Sequence, residues 1–157
     1  MNSLRQIIES SPSARHLSLA HAFDGEAAQP LAPARWDWSR VRKLLVIRLR
    51  SIGDTVLTTP SLVALRRFLP HTRIDILLED WVTPVLDGSP LVDRLISIPR
   101  HSNAARARIA RDLRRTGYEV VYNLHGGTTA TFLARASGAA HGVGLHARAS
   151  PVRAMDR

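Results

Sequence analysis

A chain of 157 residues, 45% of them hydrophobic, can bury one sizeable core, so a single globular domain with room for a tail is expected. Cysteine is absent, which excludes a disulfide framework and a thiolate metal site and suits a reducing cytoplasm. The formal net charge is +9, and of the 22 basic residues only Lys43 is a lysine. That bias fits either arginine's bidentate use on phosphate and carboxylate or an arginine-rich genome, and it does not choose among nucleic acid, lipid headgroup and sugar phosphate.

In chain order, residues 1–39 differ from the rest. Leu4, Ile7 and Ile8 suggest one helical turn, Glu9 and two serines stand where a signal peptide needs an apolar region, and the stretch from Gly25 to Pro33 has the small residues and prolines of a linker. No stretch anywhere approaches about eighteen uninterrupted apolar residues. The expectation is a poorly ordered extension over 1–39, a domain over 40–147 with Trp36 and Trp38 packing at its edge, and a tail over 148–157, in a protein made and kept in the cytosol.

From Lys43 the pattern alternates between strands and helices. Lys43 to Leu49 (KLLVIRL) is a short, almost continuous apolar run, as for a strand buried on both faces. A tight loop, Arg50 to Asp54, leads into a helix that Pro70 stops near Leu69; Thr59-Pro60 fits an N-cap with proline at the first helical position, a place to restart or kink. Arg73 to Glu79 is a second strand, Asp80 to Asp87 a short helix, and Asp93 to Ile98 a third strand. A helix over Asn103 to Thr116 stops at Gly117, Tyr118 to Leu124 is a fourth strand, a helix over Thr128 to Ala136 closes at Gly138, and Gly142 to Leu145 reads as a fifth strand. Short strands separated by longer helices indicate βαβ units, hence an α/β, Rossmann-like parallel sheet with the first strand central and helices on both faces. Ligands of such sheets bind beyond the carboxyl ends of the strands.

Three segments could carry chemistry. In the loop after the first strand, Gly53 lets backbone approach a ligand and the following helix N-terminus favours an anion, while Asp54 reads either as the helix N-cap or as a carboxylate placed to accept a proton from a bound hydroxyl. In the loop after the fourth strand, Gly126 and Gly127 can present backbone N–H groups, and His125 reads as structural more readily than as acid or base. On the helix from Asn103 to Thr116, a turn of about 100° per residue puts Arg108, Arg111 and Arg115 opposite Ile109 and Leu113; this is either a solvated face or a phosphate-binding one. No Cys/His ligand set, HExxH, GxSxG elbow or Asp-X-Asp pair occurs, so any group transfer is expected to proceed with no metal and no cofactor held by the protein.

The quoted residues resemble glycosyltransferase family 9, whose members include the ADP-heptose:lipopolysaccharide heptosyltransferases. Lys43 to Pro70, KLLVIRLRSIGDTVLTTPSLVALRRFLP, is similar to the family's opening signature of a strand, a Ser-(Ile/Met)-Gly-Asp loop and a helix with Thr-Pro and a basic pair. Tyr118 to Gly144, YEVVYNLHGGTTATFLARASGAAHGVG, resembles its second signature, although Asn123 stands where the family usually has aspartate and Thr129 where it often has arginine or lysine.

The resemblance implies a GT-B architecture of two Rossmann-like domains facing across a cleft, of which this chain holds the N-terminal, acceptor-binding one. The donor-binding half is then missing, and a partial or truncated chain is the expectation. It implies an inverting, metal-independent transfer of heptose or a related sugar from a nucleotide sugar, ADP-heptose, to a lipid-linked saccharide of the lipopolysaccharide core. Asp54 matches the family's proposed base, and Ser51, Ile52 and Gly53 match positions that shape its pocket. His125, Gly126, Gly127, Arg108 and Arg111 complete the expected acceptor contacts. A lipid-linked acceptor also implies peripheral contact with the cytoplasmic face of the inner membrane. The alternative class is a non-catalytic remnant that binds acceptor through the same fold. Nucleic-acid binding rests on charge alone, with no helix-turn-helix, zinc-finger or RNP pattern behind it.

Overall fold

The computed structural model describes residues 36–144 and the backbone of Met155–Asp156. Two compact units divide the chain, Met1–Asp37 and Trp38–Arg157, and the architecture is that of the second. The extension expected over 1–39 lies outside the described residues as far as residue 35, as does the expected tail apart from Met155–Asp156.

Strands β1 (Lys43–Ile47), β2 (Arg73–Glu79), β3 (Arg94–Ile98), β4 (Val120–Asn123), β5 (His141–Gly144) and β6 (Met155–Asp156) form one sheet in the order β3-β2-β1-β4-β5-β6. β1 is central, as its apolar run requires: Leu44 to Ile47 are all fully buried. The first five strands are parallel, and β6 adds an antiparallel pair, His141 with Asp156 and Gly142 with Met155. The sequence carries no signal for β6, because two residues are too few for a period.

Helices α1 (Ile52–Phe68), α2 (Asn103–Thr116) and α3 (Thr128–Ala136) connect β1 to β2, β3 to β4 and β4 to β5. Right-handed crossovers put α1 on one face of the sheet, and put α2 and α3, which travel the opposite way along the strand order, on the other. A strand alternates its side chains between faces. Accordingly Leu45, Ile47, Leu77 and Val121 join Ile109 and Leu113 of α2 and Leu133 of α3 in one buried cluster. At the near edge Trp38 meets Phe68 edge-on, ring centroids 5.4 Å apart.

The helix stops are local. Ser102 caps α2 by accepting from the Ala105 N–H at 3.1 Å, and Gly117 ends it at φ 67, a left-handed conformation suited to glycine. α1 corrects two expectations. Its N-cap is Ser51 and not Asp54, which falls in the first turn with its own N–H 3.5 Å from Ser51 Oγ. It neither stops nor restarts at Thr59-Pro60, since Pro60 lies inside one continuous helix.

The order of strands places the site. Chain progression reverses between β1 and β4, the neighbours at the switch point, and Ile47 pairs with Asn123 at their carboxyl ends. The loops that follow therefore start side by side, where a parallel sheet opens a crevice for ligands.

Candidate functional site

Arg48 is the first residue beyond β1 and organises the crevice. One terminal nitrogen forms an ion pair with Asp54 Oδ2, and the other donates to the Leu124 carbonyl beyond β4. One guanidinium thus joins the first turn of α1 to the second loop, which its planar, two-sided donor geometry suits. Arg48 is mostly covered, its side chain 15% exposed, whereas that of Asp54 is 49% exposed. Asp54 is held and still open to a ligand. Thr55 Oγ1 donates to the Ser51 carbonyl at 2.8 Å and Thr58 Oγ1 to the Asp54 carbonyl at 2.7 Å, which tightens the turn from the buried side.

Around Asp54, Ile52 is half exposed, and a Cβ at Gly53 would meet no atom within 4 Å. No packing in the described fold asks for glycine at 53; what its hydrogen leaves is open space beside the carboxylate.

The second loop is shaped by its own residues. Asn123, buried, accepts the His125 N–H on Oδ1 at 3.2 Å. Asparagine keeps the acceptor oxygen that aspartate would offer and adds no charge beside Arg48. Gly126 has φ 71, a conformation that only glycine adopts readily, and a Cβ on Gly127 would approach His125 Cδ2 to 3.1 Å. Gly127 is the N-cap of α3 with no side-chain bond of its own.

Burial of the ring, and then the positive charges of Arg48 and Arg50, hold the His125 imidazole below its ordinary range. A histidine with a depressed folded value leaves the native state holding fewer protons than the unfolded one. Stability is therefore lost as pH falls from the unfolded value of about 6.5 through the lower folded one. The NMR titration of His125 should show a midpoint below about 6.5; one at or above it would mean that the ring is open to water and unaffected by the two arginines.

A second recess, about 150 Å³, opens beyond β1, β2 and β3, lined by residues that include Arg50, Glu79, Arg100, His101, Arg106 and Thr129. Sequence reasoning missed it as a site, although it singled out Arg50, in the loop after β1, and Thr129. It named Arg108 and Arg111 from the helical wheel, but α2 runs away from the mouth: both lie exposed on its outer side, and the arginine it supplies to the recess is Arg106. Arg106 donates to the Arg100 carbonyl and to Asn103 Oδ1, each at 2.9 Å, and so ties the β3 loop to the first turn of α2. Glu79 had a readable signal, a carboxylate closing a strand that is otherwise apolar after Asp75. Among the described residues, no group of three or more His, Cys, Asp or Glu is placed to hold a metal ion, and no helix is long and apolar enough to cross a membrane.

No protein-family profile matches the chain. Lipopolysaccharide heptosyltransferase 3 of Escherichia coli is 32% identical over 82 residues, which are 48% of this chain and 24% of that protein. The crystal structure of the glycosyl transferase family 9 protein of Veillonella parvula matches with a TM-score of 0.61 at 27% identity, over 64% of this chain and 31% of that one. ADP-heptose lps heptosyltransferase II of Escherichia coli shares the fold, with a TM-score of 0.58 at 24% identity over 65% of this chain and 30% of that one. The chain thus spans about a quarter to a third of the length of the proteins it matches. Its domain has the α/β fold of heptosyltransferase-like glycosyltransferases, and the partial coverage fits an N-terminal domain.

Proposed function

We propose, from this resemblance to the N-terminal domain of glycosyltransferase family 9, that the chain is the acceptor-side half of a heptosyltransferase-type enzyme. In this reading the crevice between β1 and β4 receives a saccharide hydroxyl of a lipid-linked lipopolysaccharide core. Asp54 takes the proton as that hydroxyl attacks the anomeric carbon of a nucleotide sugar, the nucleotide leaving from the opposite side, so that the configuration inverts without a metal. The donor, ADP-heptose or a relative, is held by a second domain. Ser51, Ile52 and Gly53 shape one wall, and the backbone of His125, Gly126 and Gly127 the other. The enzyme works in the cytoplasm, against the inner membrane that carries its acceptor.

One observation carries the reading: a half-exposed carboxylate, oriented by a covered arginine, stands at the switch point of the sheet with open space over the neighbouring glycine. Arg48 holds one oxygen of Asp54, and the ion pair leaves the second available. The test is transfer of labelled heptose from ADP-heptose to a lipopolysaccharide-core acceptor by a polypeptide that joins this chain to a donor-binding domain. A folded two-domain protein that binds both substrates and transfers nothing would leave acceptor binding without catalysis as the function.

A further inference from the structure

Glu79 closes β2 at the mouth and takes no part in the proposed proton transfer. It is 6% exposed. A carboxylate removed from water is costly unless its oxygens are paired. Trp81 Nε1–H donates to Oε2 at 2.8 Å. The charge is met by two arginines from different loops: Arg50 Nε lies 3.4 Å from Oε1 and Arg100 Nε 3.9 Å from Oε2.

Both guanidinium groups face the carboxylate through Nε. Among the described residues, the terminal nitrogens of neither enter another ion pair, and the two side chains are 48% and 53% exposed. A guanidinium held along its Nε edge still has its terminal pair of nitrogens, the fork that binds oxyanions. Arg50 and Arg100 come from the ends of β1 and β3, so without a shared anchor they would sample separate rotamers. Held by one buried group, they line the same recess.

We infer that Glu79 is a positioning residue: its carboxylate holds the Nε edges of Arg50 and Arg100 so that their terminal nitrogens together take one oxyanion, a phosphate or carboxylate group, in this recess. Only the origin of that oxyanion, a group on the acceptor, rests on the proposed function. A carboxylate beside an anion site also repels the anion, so the two effects of Glu79 have opposite signs. Glu79→Gln separates them: it removes the charge and keeps an oxygen for the Trp81 N–H.

The probe is inorganic phosphate, titrated into the full chain and followed by the arginine Nε–Hε NMR signals. Arg50 and Arg100 should shift together, and Glu79→Gln should weaken binding about tenfold despite the lost repulsion, with Glu79→Asp between the two. Equal or tighter binding by a folded Glu79→Gln overturns the inference, because the carboxylate is then only a countercharge. Absence of a shift at both arginines in the parent chain overturns it as well. Should Glu79→Gln fail to fold, Arg100→Lys carries the test. It keeps the positive charge and lacks both the Nε edge and the terminal fork, so about tenfold weaker binding is expected and unchanged affinity is fatal. None of these readouts involves sugar transfer, so this inference and the proposed function can fail separately.

Discussion

Asp54→Asn, in a polypeptide that carries this chain together with a donor-binding domain, is expected to slow sugar transfer by about 10²- to 10⁴-fold, the usual loss when a general base is removed. The fold should tolerate the change. Ser51 remains the N-cap of α1, so the substitution removes no cap bond. What disappears is the ion pair with Arg48 and a negative charge in the first helical turn. The carboxylate side chain is 49% exposed, so solvent screens both terms and together they are worth about 1 kcal/mol or less. Asparagine can accept a hydrogen bond from the acceptor hydroxyl but cannot take its proton. The signature is therefore a reduced kcat with melting temperature and acceptor affinity little changed. An Asn variant that transfers at the parental rate would remove Asp54 from the chemistry and leave it as Arg48's partner.

Leu113→Ala should cost about 2–5 kcal/mol of stability, a large fraction of the about 5–15 kcal/mol that a domain possesses. Leu113 is 1% exposed and lies in the cluster that joins α2 to β1, β2 and α3. Removing its branched end leaves a cavity that elements anchored on a parallel sheet fill poorly. The measurement is the urea midpoint, read with an unchanged m-value so that the shift reports stability alone. Arg111→Ala, two residues earlier on the outer face, is the companion. It should move stability by no more than about 0.5 kcal/mol, because the side chain is exposed. A small Leu113 effect would mean that α2 is not packed as described.

The same two residues show what could be read before the structure. The buried face of α2 follows from the helical period, and Ile109 and Leu113 lie where that period puts them. The carboxyl ends of α2 and α3 were legible too, because Gly117 and Gly138 act within a turn of the chain. The recess was not. The wheel puts Arg108 and Arg111 opposite Ile109 and Leu113, the side that turns outward, whereas Arg106 falls beside the apolar stripe and enters the recess from the first turn. Partnerships such as Arg50 with Glu79, or Arg48 with Asp54 and Leu124, depend on which strands become neighbours, and no local period encodes that. Asp54 lies in the first turn of α1, and the capping role falls to Ser51, whose side chain reaches forward to the Asp54 N–H.

Proline within α1 leaves that helix one backbone hydrogen bond short. Pro60 has no N–H to offer the carbonyl four residues earlier, so one rung is missing between the turns that bear Ser51 and Asp54 and the longer run toward Phe68. Val56 is 53% exposed, so water can reach the orphaned carbonyl there, and the gap costs little. The helix nevertheless runs unbroken from Ile52 to Phe68. Thr55 and Thr58 are buried before the gap and Leu62 beyond it, so the core seats both halves, and Arg48 holds the first turn from the outside. The Asp54 carboxylate therefore projects from turns that the core fixes on their other side, open to water yet held in place.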